Sequence, residues 1–121
     1  MRNTNAIVLT GPDTSTQTGS QIDANQIYAA SFVAYFGDTS AVGTFKIQAS
    51  NDVLIGQNIP NSTAHAATHW ADIPSATMAI SAGGSAVITL PNVCYRWLRA
   101  VYVFGSGGTT TVTVAMNSLG F

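Results

Sequence analysis

The sequence predicts an all-β, single-domain β-sandwich, jelly-roll-like, of about seven or eight antiparallel strands. Three observations carry this expectation. Short runs rich in Val, Ile, Thr and aromatic residues alternate apolar with polar at a period of two. Clusters of Gly, Pro, Asn and Asp interrupt them about every ten residues. Residues that favour solvated helices are scarce, since the 121 residues hold one Lys, three Arg and no Glu.

Asn3 to Thr10 reads as a first strand, with Ile7, Val8 and Leu9 near its end. Gly11 to Ser20 is a turn-rich linker opened by Gly11-Pro12-Asp13. Residues 1–20 therefore read as an N-terminal strand and arm, ahead of a sandwich domain over 21–121. In Gln26 to Phe36 both parities are largely apolar, which predicts a strand covered on both faces. Gly43 to Ala49 alternates Phe45, Ile47 and Ala49 with Thr44, Lys46 and Gln48, a pattern with one face inward. The Gly37-Asp38-Thr39-Ser40 turn joins these two runs as a hairpin.

Val53 to Ala76 is the least regular third, holding Pro60, Pro74, both histidines and Trp70. A short helix over Ser62 to Trp70 and a long loop are equal alternatives there. Thr77 to Ser81 and Ser85 to Leu90 read as short strands about a Gly83-Gly84 turn. Tyr95 to Phe104 and Thr109 to Met116 flank Gly105-Ser106-Gly107-Gly108, the strongest hairpin signal in the chain.

Only 7% of residues are charged, against about 25% in ordinary soluble domains. Neutral groups supply the polarity: 15 Thr, 11 Ser, 8 Asn and 5 Gln. With net charge −1 there is no basic footprint for nucleic acid and no polybasic stretch for an anionic membrane. No apolar run approaches the roughly 20 residues of a spanning helix. Arg2 is followed by only four apolar residues, Ala6 to Leu9, too few for the core of about 7–15 residues that a secretory signal needs. Cys94 stands alone, so no internal disulfide is expected.

His65, His69 and Asp72 have the spacing i, i+4, i+7 and are the most metal-like set. They lack the intervening Glu of an H-E-x-x-H motif, and Pro74 truncates any helix. Polar loop residues are the more economical reading, and neither metal nor other cofactor is expected. The five Asp sit mostly in turns, there is no Glu for paired-carboxylate chemistry, and no G-x-S-x-G elbow occurs. Cys94, between Val93 and Tyr95, reads as a small buried residue. The chain is not expected to be an enzyme. Trp70, Tyr95 and Trp97 could form a sugar-stacking platform, but strand faces buried on both sides, with Arg96 and Arg99 at the rim, are the stronger reading.

The runs Gly43-Thr-Phe-Lys-Ile-Gln-Ala-Ser-Asn-Asp52, Trp70-Ala-Asp-Ile-Pro74, Gly83-Gly84 and Tyr95-Arg-Trp-Leu-Arg-Ala-Val-Tyr-Val-Phe-Gly-Ser-Gly107, followed by a Thr/Val strand, carry a resemblance. In this order they resemble small β-sandwich virion proteins of tailed bacteriophages, over residues 43 to about 115. The Q-x-S-N-D … W element is also similar to discoidin-like sandwiches. The phage resemblance implies a non-catalytic decoration or cement protein that bridges capsomers, a homo-oligomer and most simply a trimer. Its partner would be the major capsid protein or another virion protein, and its place the capsid surface after synthesis in the host cytoplasm. A tail or head–tail adaptor, or a discoidin-like carbohydrate-binding module, is the alternative. Ile7, Val8, Leu9, Leu119 and Phe121 at the apolar termini, with Arg96 and Arg99, are the expected assembly interface.

Overall fold

A computed structural model describes residues 2–52 and 67–120. These form nine strands and no helix: β1 (Arg2–Pro12), β2 (Gln17–Thr18), β3 (Ile22–Asp23), β4 (Ile27–Phe36), β5 (Val42–Ser50), β6 (Ala71–Ile80), β7 (Ser85–Leu90), β8 (Trp97–Ser106) and β9 (Thr111–Gly120). One sheet runs β1-β9-β4-β7 and the other β2-β8-β5-β6, with β3 also paired to β8. Every described pairing is antiparallel. The chain is a β-sandwich, as the alternation predicts.

β2 and β3 add to the same flank of β8, because β5 occupies the other flank along its length. Counted as one interrupted strand, they leave a chain that changes sheet at every connection except β5 to β6, the connectivity of an eight-stranded jelly roll. This corrects both hairpins expected from the sequence. β4 and β5 lie in different sheets, and so do β8 and β9. Turn residues between two alternating runs reveal a reversal of direction but not whether it stays in one sheet. Here Gly83, Gly84, Gly107 and Gly108 all take positive φ, a region that disfavours residues with a Cβ. A side chain on Gly83 would strike the Asp38 carbonyl, and one on Gly107 the Ser40 carbonyl. The arches thus pack on the β4–β5 connection and steer the chain across the sandwich.

Inward-facing residues of both sheets meet in one core. Phe32, Phe45, Ile47, Leu98, Tyr102, Val112 and Val114 are fully buried, with Ala34, Ala41, Ala76 and Ala100 filling the space between them. The Phe36 and Tyr102 rings meet edge to face at 5.2 Å, and the Tyr102 hydroxyl donates to the Val42 carbonyl at 3.2 Å. That bond satisfies the polar tip of the buried Tyr102.

β4 differs from its expected double burial. Ala30, Phe32, Ala34 and Phe36 face the core, whereas Tyr35 on the other parity is 51% exposed. Two strand neighbours cover the edges of β4, but no described layer covers its outer face. β1 pairs with β9 from Arg2 to Pro12, and β2 extends the opposite sheet. The possible helix over Ser62 to Trp70 falls largely outside the described residues.

Replacing Phe45 with Ala opens a cavity between the sheets. The expected loss is about 3–5 kcal/mol of unfolding free energy, read from urea denaturation.

Candidate functional site

Charge is distributed unequally over the sandwich. On the outer face of the β2-β8-β5-β6 sheet, Lys46 Nζ lies 3.1 Å from Asp72 Oδ1, and Gln48 Nε2 donates to Asp72 at 2.9 Å. These two donors hold the Asp72 carboxyl below the usual carboxylate range. Arg99 Nε donates to Gln48 Oε1 at 2.8 Å, and its guanidinium stacks 4.4 Å from the Trp70 ring centroid. Desolvation lowers the Arg99 pKa from its ordinary value, and the guanidinium stays charged. Arg96 pairs with Asp23 and covers the Trp97 ring at 3.8 Å. Both arginines are thus engaged within the chain.

The connection from β5 to β6 is clamped at its base. Asp52 accepts from the Thr68 N–H at 2.7 Å, the His69 N–H at 2.8 Å and the His69 ring at 3.1 Å. The His69 and Thr68 backbone donors, in that order, pull the Asp52 pKa down to about 2. His69 and Asp72 share a groove of about 290 Å³ with Asn51 and Tyr95. His65 lies outside the described residues, and among those described no three His, Cys, Asp or Glu side chains gather. Trp97 is only 3% exposed and donates its indole N–H to the Asp52 carbonyl at 3.3 Å. It offers no face to a sugar, which removes it from the platform of the alternative reading, Trp70, Tyr95 and Trp97. Trp70 is half-buried under Arg99 and Tyr95 lines the groove. Cys94 is exposed, not buried, because it precedes β8 in a loop.

The opposite end of the sandwich holds two carboxylates. Asp38 Oδ1 accepts from the Ser40 and Ala41 N–H groups at 2.9 and 3.1 Å. Its Oδ2 accepts from the Thr109 and Thr110 N–H groups at 2.9 and 3.2 Å and from the Thr110 hydroxyl at 3.0 Å. This cradle, led by the Thr109 N–H, pushes the Asp38 pKa far down. Asp13 is fully buried. Its Oδ1 accepts from Thr110 N–H at 3.1 Å, and its Oδ2 has no partner. Burial first, and then the Asp38 carboxylate, push the Asp13 pKa up. Both groups also raise the Tyr102 pKa, after burial itself. The pair ties three loops together, with opposite demands on pH.

The outer face of the β1-β9-β4-β7 sheet is different in kind. Among its described side chains none is charged at neutral pH; Thr, Asn and Ser dominate. The register aligns Ile7 with Ala115, Ala115 with Val33, and Val33 with Val87. These four make an apolar row across all four strands, with Ile7 62% and Val87 51% exposed. Leu119 is also exposed on this face. Val8 and Leu9 are not available there. A bulge between Ile7 and Leu9 turns both of them into the core. Phe121 lies outside the described residues. The sequence reading missed Val33, Val87 and Ala115 because their alignment depends on pairing between distant strands.

No protein-family model, curated protein or solved structure matches the chain.

The two carboxylates predict opposite pH responses. Asp13, with its raised pKa, stabilises the fold in its protonated form and loses that contribution as pH rises through the folded-state value. Asp38 contributes above its unfolded value of about 3.9 and loses this as pH falls through its lowered one. Asp13→Asn should melt at or above the wild-type temperature at pH 8, with the advantage vanishing near pH 4. Asp38→Asn should melt roughly 5–10 °C lower at neutral pH, because an amide cannot accept at both ends of the cradle. Thermal melts from pH 4 to 8 check both.

Proposed function

We propose that this chain is a non-catalytic structural subunit of a tailed-phage virion, of the decoration or cement type. It attaches to the shell through the outer face of the β1-β9-β4-β7 sheet. One observation carries the choice of surface: that face has no described side chain charged at neutral pH and bears the row Ile7–Ala115–Val33–Val87. Interface cores are depleted in charge in just this manner. Four strands about 4.8 Å apart, three of ten or eleven residues and β7 of six, cover roughly 600 Å², below the roughly 800 Å² per partner of a standard interface.

The resemblance of residues 43 to about 115 to phage virion sandwiches supports the class of assembly. Jelly rolls serve in both viral capsids and lectins, so the fold supports that class without selecting it. Against the carbohydrate-binding alternative stands the loss of Trp97 to the interior. Attachment by neutral surfaces has a measurable signature. Affinity for phage heads lacking this chain should change little between about 50 and 500 mM salt, because few ion pairs are present to screen. The double variant Ile7→Asp, Tyr35→Asp changes two side chains that are mostly exposed and should leave the melting temperature close to wild type. It should bind heads at least about tenfold more weakly, since each Asp would be desolvated in the contact. Unchanged head binding by this variant would refute the assignment of the face.

A further inference from the structure

We propose that β7 is a pairing edge and that its occupant is β7 of a second copy of this chain, joined antiparallel about a two-fold axis at Val87. This pairing does not rest on the virion reading. Among the described residues β7 pairs only with β4. Exposed edges are templates for another strand, and proteins ordinarily blunt them with bulges, prolines, charges or brevity. The other edges here follow that practice. β1 has its bulge after Ile7 and ends on Pro12. β6 has Pro74, a register shift and the Lys46–Asp72 ion pair beside it. β2 and β3 are two residues each. β7 runs in unbroken register along β4 with no proline and no ionisable residue.

One hydrogen bond fixes which groups of β7 are free. Phe36 N–H donates to the Gly84 carbonyl at 2.9 Å. Hydrogen-bonded pairs alternate along an antiparallel ladder, so Ala86, Ile88 and Leu90 bond to β4. Ser85, Val87 and Thr89 therefore aim their N–H and C=O groups away from the sheet, and all three are exposed. A second β7 with Val87 opposite Val87 sets Ser85 against Thr89 on each side of the axis and closes about six main-chain hydrogen bonds.

The side chains agree with that register. Val meets Val and Ser meets Thr on the outer face, pairings that stabilise antiparallel sheets. On the inner face small Ala86 lies beside Ile88. A one-residue slip would oppose outward and inward side chains, so parity protects the alignment. Neither strand carries a charge that would repel its copy. The apolar row that ends at the exposed Val87 would continue unbroken into the second molecule, giving an eight-stranded neutral face. A two-fold dimer differs from the trimer that the phage resemblance implies.

Native mass spectrometry and sedimentation of the full chain test this. The expected result is a wild-type dimer whose dissociation constant rises at least about tenfold in Val87→Lys, where two ammonium groups would face each other. Val87→Pro should act alike, because it removes an N–H that β4 does not use. Both should keep the wild-type circular dichroism spectrum, and Ile7→Lys should leave the dimer intact. Independently, Val87→Cys in a Cys94→Ser background should give a disulfide-linked dimer on mild oxidation, since opposed Cα atoms about 5.5 Å apart suit a disulfide. A wild-type monomer at about 100 μM, a trimer, or a dimer broken by Ile7→Lys and not by Val87→Lys would overturn the proposal.

Discussion

The burial of Phe32, Phe45, Ile47, Leu98, Tyr102, Val112 and Val114 between two sheets is the constraint on which the rest of the molecule depends. Strand side chains alternate with a period of two, so fixing one parity inward fixes the other outward. Phe32 and Ala34 turned inward oblige Val33 and Tyr35 to turn outward. Val112, Val114 and Met116 inward oblige Thr113, Ala115 and Asn117 outward. The neutral face is thus not an independent feature. It is the complement of the core on strands whose described side chains carry no charge at neutral pH.

Charge is instead placed where a single job requires it. Lys46, Asp72 and Arg99 tie three strands of the opposite sheet through Gln48. Asp52 closes the base of the β5–β6 connection. Asp38 gathers the donors of two arches, and Asp13 sits beside it without a partner for Oδ2. A buried carboxylate at that point is costly unless protonated, which couples the joint between three loops to proton concentration. The remaining surface is left to Thr, Ser and Asn, which solvate the chain singly and, where new hydrogen bonds replace those to water, can be covered at less cost than charges.

The edges show the same economy. A bulge turns Val8 and Leu9 inward at the β1 edge, and Pro74 interrupts β6. Only β7 presents a straight run of unused main-chain groups among the described strands. Face and edge together make one contiguous surface, neutral on the flat side and unsaturated at the rim.

The sequence by itself determined the β class, the parity of β5 and β9, the bounds of β7 and the scarcity of charge, because each is local: propensity, period and composition act within a few residues. Only the tertiary structure decided that Asp38 and Asp13 would meet and that the expected hairpins would be arches between sheets. Glycine-rich turns look alike from inside the chain whether the next strand pairs beside the last one or crosses the core. The row Ile7–Ala115–Val33–Val87 joins residues far apart in sequence. Strand pairing is a non-local choice, made by which inward faces pack together, and so no local pattern could announce it.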